Sequence, residues 1–394
     1  MTKCMTICFP LLLVSCVLFL TGGLMSGLTE VHAQEAESPA LKTVTKTVVF
    51  QRGDGGYHSF RIPALIVSPQ DTLLAFAEGR KNNLGDSGNI DLVLKRSSDQ
   101  GKTWSDLSVL WNDGENTCGN PCPVVDQSTG RIWLPLTWNH GKDREKQIKD
   151  KSARDTRRVY MSYSDDDGVT WKPPYEVTET TKKPEWTWYA TGPGNGIQLT
   201  RGAHKGRLVI PCDHNVTLDG KVIRRSHAIY SDDHGKTWQL SQPIGVKTNE
   251  CAVVELADSR LLMNMRSYHG KNRRAIAFSD DGGATWSNES LDAALIEPVC
   301  QASLIRVRFP ESGKPGQILF SNPASKKRQK MTVRLSEDDG KTWTASRLVM
   351  PGSAAYSCLA ALSDGHVGLL YERDGYQKIE FVAFDLAQFL ASRP

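Results

Sequence analysis

Five copies of one octapeptide, Ser-x-Asp-x-Gly-x-Thr-Trp, set the terms on which this chain can fold. They read SSDQGKTW at 97–104, SDDDGVTW at 164–171, SDDHGKTW at 231–238, SDDGGATW at 279–286 and SEDDGKTW at 336–343. Their starting points lie 67, 67, 48 and 57 residues apart. Recurrence on that scale describes an array of equivalent supersecondary units, each burying its apolar face against the next. The residue types describe a turn. Ser and Asp bond nearby backbone groups, Gly accepts positive φ, and the closing Trp plugs the loop from below. The repeats report architecture and carry no chemistry of their own.

Short β-rich runs recur between these turns, at 47–50, 90–96, 131–136, 158–164, 207–210, 260–265 and 379–384. The one helical candidate, 385–391, is short. Strands at this density argue for an all-β protein. No Gly/Ser-rich or Pro-rich linker divides the chain, so 43–394 reads as a single domain despite its length.

The first residues do not belong to that domain. Lys3 precedes an apolar run at 9–20, and Val31-His32-Ala33 suits a cleavage site. Pro10 and Gly22-Gly23 interrupt the run, so residues 1–33 read as a secretory signal peptide and not a membrane span. That implies a secreted or periplasmic protein. Leu13-Val14-Ser15-Cys16 also resembles a lipobox, so a lipid-anchored cell-surface form is the alternative. Residues 34–42 are polar and read as a flexible N-terminal segment.

Three of the nine cysteines fall in the leader. Among the other six, Cys118 and Cys122 stand close, but no second close pair and no matched His cluster accompany them, so the six read as buried thiols or one disulfide and not a zinc site. A formal net charge of +4 gives no footprint for nucleic acid, though it suits an anionic substrate. Residues 139–158 concentrate charge, from Lys142 to Lys151, as a solvated surface loop or as a flap over a site.

The repeats resemble the Asp-boxes of sialidases, and further motifs follow that family's order. They are Phe60-Arg61-Ile62-Pro63, Glu78-Gly79-Arg80 with Gly85-Asp86, Asn120-Pro121-Cys122-Pro123, Asn249-Glu250-Cys251, Asn264-Met265-Arg266, Lys327-Arg328, Ala355-Tyr356-Ser357 and Leu370-Tyr371-Glu372. The resemblance covers the chain after the leader. It implies a six-bladed β-propeller with Asp-box repeats. Five boxes account for five blades, and the first strand, pairing with C-terminal strands, would close the sixth.

It also implies an activity: hydrolysis of terminal sialic acid from glycoproteins, glycolipids (gangliosides among them) and oligosaccharides, without metal or cofactor. A trans-sialidase and a non-catalytic sialic-acid-binding propeller are the alternatives. Sialic acid carries a carboxylate on its anomeric carbon, and three guanidiniums can clamp it with paired donors. The resemblance assigns that clamp to Arg61, Arg266 and Arg328, and the orientation of the first arginine to Glu372. A carboxylate nucleophile would face the substrate's own carboxylate, so a neutral tyrosine is favoured. Tyr356 matches the nucleophile and Glu250 the base that activates it. Asp86 matches the general acid, with Asp91 as a rival whose place beside an apolar run suggests a structural role. Arg80 and Asn120 match residues on the sugar's hydroxyl side. Trp186, Trp188 and Tyr189 are candidates for a pocket wall or for core. The string Pro211-Cys212-Asp213-His214 stands where the family often has an aromatic.

Overall fold

The computed structural model describes residues 38–390, so the inferred leader lies outside the described residues. Within them the chain forms six four-stranded antiparallel blades. Blade one is built on the strands Ser59–Val67, Leu73–Arg80, Ile90–Ser97 and Ser108–Trp111. Blade two is built around Ile132–Asn139 and Arg158–Ser164, and blade three around Leu208–Leu218 and Lys221–Ser231. Blade four runs from Thr248–Glu255 to Ser290–Ile296, and blade five starts at Ser303–Arg308. The strand Ala345–Ala361 is shared. Its first half pairs with Gln329–Ser336 as the outer strand of blade five, and its second half pairs with His366–Arg373 as the inner strand of blade six.

Closure follows the expected route. Thr45–Gln51 pairs antiparallel with Lys378–Asp385, with Thr45 opposite Ala383 and Gln51 opposite Lys378. The N-terminal strand thus supplies the outer edge of the last blade. Residues 39–41 were expected to fray, yet Leu348 N donates to Pro39 O and Leu41 N to Leu348 O, both at 2.8 Å. A parallel bridge pins them to blade five. The helical candidate near the C-terminus shortens to Ala387–Leu390.

Each octapeptide joins the third and fourth strands of its blade, and its side chains close the turn as their types require. In the first copy Ser97 Oγ donates to Asp99 Oδ1 and accepts from Gly101 N, both at 2.8 Å. Asp99 receives Thr103 N at 2.9 Å and Thr103 Oγ1 at 2.6 Å. Gly101 is needed twice over: its φ is +83°, and a Cβ there would stand 2.1 Å from the Phe381 ring of blade six. The box therefore seals one blade against its neighbour. Six apolar cores fill the spaces between adjacent blades, such as Phe76 and Leu92 of blade one against Leu134 and Leu136 of blade two. The six described cysteines are buried free thiols. Among the described residues no helix is long and apolar enough to cross a membrane.

Candidate active site

Inner strands from all around the ring end at one funnel, and eight of the nine residues singled out in the sequence line a single cavity there. They are Arg61, Arg80, Asp86, Asn120, Glu250, Arg266, Arg328 and Tyr356. The ninth, Glu372, lies directly beneath and is fully buried.

Tyr356 sits at the centre. Its hydroxyl donates to Glu250 Oε1 at 2.5 Å. Three guanidiniums surround it. Arg266 Nη1 reaches the Tyr356 oxygen at 3.1 Å and Glu250 Oε2 at 2.7 Å. Arg61 and Arg328 stand 5.2 and 5.5 Å from the ring centroid. Burial and the Glu250 charge push the Tyr356 hydroxyl well above its ordinary pKa, against the pull of Arg266. The resting phenol is therefore neutral, with the Glu250 carboxylate placed to accept its proton.

Glu372 fixes this arrangement from below. Its oxygens take Arg61 Nε at 2.8 Å and Nη2 at 3.2 Å, and also the backbone N–H of Ile62 and of Tyr356 at 2.9 and 3.1 Å. Blades one and six are thereby tied at the funnel. Ile62 takes a φ of +61°, an unfavourable conformation for a β-branched residue, at a bulge between Arg61 and Ala64. Strain of this kind persists where surrounding bonds over-determine it. Tyr376 bridges the clamp: its hydroxyl accepts from Arg328 Nη1 at 3.0 Å, and Arg61 stacks on its ring at 4.3 Å.

Asp86 comes from the loop between the second and third strands of blade one, and its side chain is 57% exposed at the mouth. Arg80 Nη2 approaches it at 2.9 Å and Arg61 Nη1 at 3.9 Å. Partial desolvation would raise its pKa, but Arg80, Arg61 and Arg157 outweigh that and hold the carboxyl below its usual range. An anion bound among these cations would offset them and raise the proton affinity of Asp86. Asp91 points away from the funnel. It is buried under Tyr57 and Asn112, which donate to it at 2.6 Å each, so it supports the sheet.

The wall beside Asp86 is held by Glu78, which accepts from Arg80 Nη2 at 2.6 Å and from Asn120 N at 2.9 Å. Asn120 adopts a φ of +52° there. Gly119 allows the approach, since a Cβ would lie 2.2 Å from Glu78 Oε1. Next to Asn120, Arg157 stacks on Trp188 at 3.9 Å and donates to Asn120 Oδ1 at 2.5 Å. Of the two readings of the charged loop, solvated surface or flap, Arg157 near its end fits the second, being only 2% exposed and lining the cavity. The loop also sends Glu145 and Lys149 into the cavity wall.

Of the three aromatic candidates only Trp188 lines the cavity. Trp186 is buried against His214, with ring centroids 3.4 Å apart, and Tyr189 is core. Asp213 occupies the departing string and also lines the cavity. Burial first, then the Glu250 charge, raises its pKa well above the carboxylate range, and Asn249 Nδ2 donates to it at 2.5 Å. Tyr268, whose hydroxyl accepts from Arg266 Nη2 at 2.8 Å, and Glu78 also line the cavity; alternation could have found both, each two residues from a recognised arginine on the same face. Arg157 and Asp213 carried no such signal.

A family profile described as BNR repeat-like domain matches residues 59–369. The chain is 35% identical over 347 residues to a sialidase of Micromonospora viridifaciens, covering 85% of this chain and 53% of that one. It is 33% identical over 346 residues to an exo-alpha-sialidase of Aspergillus fumigatus, covering 81% of this chain and 80% of that one. The solved structure of the Hadza microbial sialidase Hz136 superposes with a TM-score of 0.78 at 32% identity, over 87% of this chain and 69% of the other. Fold and funnel define an Asp-box β-propeller with three arginines converging on one cavity. The chain belongs to the sialidase family. It spans about half the length of its Micromonospora relative.

Proposed function

We propose that this protein is an exo-α-sialidase that releases terminal sialic acid from glycoproteins, glycolipids and oligosaccharides with net retention. The observation that carries the reading is the 2.5 Å contact of the Tyr356 hydroxyl with Glu250, set among three guanidiniums. Arg61, Arg266 and Arg328 take the substrate carboxylate and present the anomeric carbon to Tyr356. Glu250 accepts the phenolic proton as the Tyr356 oxygen bonds to that carbon. The glycosidic bond breaks, and Asp86 gives its proton to the leaving oxygen. Water then attacks the same carbon and yields a proton to Asp86. The bond to Tyr356 breaks, and the phenolate regains its proton from Glu250. Arg266, 3.1 Å from that oxygen, stabilises the phenolate as it forms. Arg80 and Asn120 face the ring hydroxyls. Residues 1–33 serve as the leader that takes residues 43–394, the catalytic domain, out of the cytoplasm.

A fluorinated sialyl fluoride should trap the covalent intermediate, and peptide mass analysis should find the label on Tyr356. NMR during sialyllactose cleavage should show the α-anomer of sialic acid first. Label on another residue, or the β-anomer first, would overturn the mechanism.

A further inference from the structure

A second cleft of about 620 Å³ opens on the outer side of Asp86 and shares that residue with the catalytic cavity. One wall is the loop with Asn83 and Ser87; the other is the start of the charged loop, with Lys142, Arg144 and Lys146. The charges on this cleft are unbalanced. Its two acids already have partners: Asp86 has Arg80 at 2.9 Å, and Glu145 has Lys149. Among the described residues Lys146 has Asp150 as its one acidic partner, at 3.6 Å. Lys142 and Arg144 have no carboxylate within ion-pair distance among the described residues.

The wall that carries them is anchored. Asp143, fully buried between Lys142 and Arg144, accepts Arg154 N at 2.9 Å and Asp155 N at 3.2 Å. Ile148 is buried, Thr217 Oγ1 donates to Lys149 O at 2.6 Å, and Gly141 N donates to Asn116 Oδ1 at 3.0 Å. Two cations with no countercharge are thus held over the side from which Asp86 protonates the departing sugar.

We infer that this cleft receives the sugar that leaves, and that Lys142, Arg144 and Lys146 select a leaving sugar bearing an anion, either a carboxylate or a sulfate. The inference rests on the reading of Asp86 as the acid in sialoside cleavage. The carboxylate would come from a second sialic acid in the chain, and the sulfate from an ester on the adjoining sugar. Arg144 suits either anion through its paired donors, and Lys142 and Lys146 add charge.

The test compares kcat/KM on sialyllactose, disialyllactose and a sulfated sialyl-lactosamine. Two or three exposed charge pairs should favour the anionic substrates roughly five- to tenfold at low salt. The preference should shrink in molar NaCl, where the screening length falls to about 3 Å. The double variant Lys142→Ala/Arg144→Ala should bring the ratio of anionic to neutral substrate toward one, while Lys142→Arg/Arg144→Lys should keep most of it. A preference for only one anionic substrate supports the inference and names the anion. A wild-type ratio of one with normal sialyllactose cleavage overturns it and leaves the sialidase reading standing. A preference that survives both salt and the double alanine variant overturns the assignment to these side chains.

Discussion

Glu372 grips Arg61 with both carboxylate oxygens, at 2.8 and 3.2 Å, and no part of Glu372 reaches solvent. The same oxygens accept the backbone N–H groups of Ile62 and Tyr356. One buried charge thereby positions Arg61 and the strand that carries Tyr356 together.

Glu372→Gln should therefore damage stability and binding in one step. The amide keeps the volume but turns one acceptor into a donor that faces other donors, and Arg61 loses its countercharge. Breaking a buried pair this way costs about 3–5 kcal/mol. Thermal melting should fall by several degrees, and the Kd of an unsaturated sialic-acid analogue should rise at least about tenfold. An unchanged melting point with unchanged Kd would remove Glu372 from this role.

Asp86→Ala separates acid catalysis from sheet support. An activated aryl leaving group barely needs a proton, whereas a sugar needs one badly. The variant should lose on the order of a hundredfold on sialyllactose and far less on an aryl sialoside, if bond cleavage limits both rates. Asp91→Ala should lower the melting temperature without that discrimination, because it strands Tyr57 and Asn112. A selective loss on sialyllactose in the Asp91 variant alone would transfer the acid role there.

The outline of this molecule was open to reading because its signals are local. A Ser-x-Asp-x-Gly-x-Thr-Trp turn satisfies its own backbone, so five copies announce five blades without reference to the rest of the chain. The convergence of Arg61, Arg266 and Tyr356 on one cavity was readable for a different reason: each sits in a short motif resembling a known family. Arg157 and Asp213 had no motif. Arg157 lies among Lys and Asp residues that do face solvent, and only the turn of the loop around the buried Asp143 and Ile148 brings it inward. Asp213 is carried to the funnel by an eleven-residue strand, Leu208–Leu218, whose sequence as a central strand gives no hint of a pocket. Trp186 was a fair candidate for a wall, yet its ring lies flat on His214 inside blade three.

The same blade predicts acid sensitivity. His214 and His227 are fully buried, with their Nδ1 atoms 3.0 Å apart. The rings of Trp186 and Tyr189 pack against them. Burial pushes His227 from 6.5 down to about 3, and burial with the neighbouring ring lowers His214 as well. The unfolded chain takes up protons that the folded chain refuses. Stability is therefore complete above about pH 6.5 and drains away as pH falls toward 3, by up to roughly 5 kcal/mol for His227. Denaturant unfolding at descending pH should show this slope, and His227→Gln should flatten it. Equal slopes in both proteins would place the acid sensitivity elsewhere.

Arg157 offers the clearest contrast with Glu372. Its guanidinium is fully buried, yet it stacks on Trp188 and bonds Asn120 and Thr137 without any carboxylate at ion-pair distance among the described residues. Its Nη1 has no hydrogen-bond partner among the described residues. Burial of a charge left so poorly compensated is costly, and burial accordingly lowers the pKa of this arginine. Replacing such a charge with an apolar group of similar length is often neutral or stabilising. Arg157→Met should thus hold or raise the melting temperature. The cavity would lose a donor and Asn120 its anchor, so KM for sialyllactose should rise about tenfold with kcat less affected. Arg157→Lys should fall between, because it keeps the charge but not the planar fork. A lowered melting point with unchanged KM would instead make Arg157 a structural brace of the wall and no part of substrate recognition.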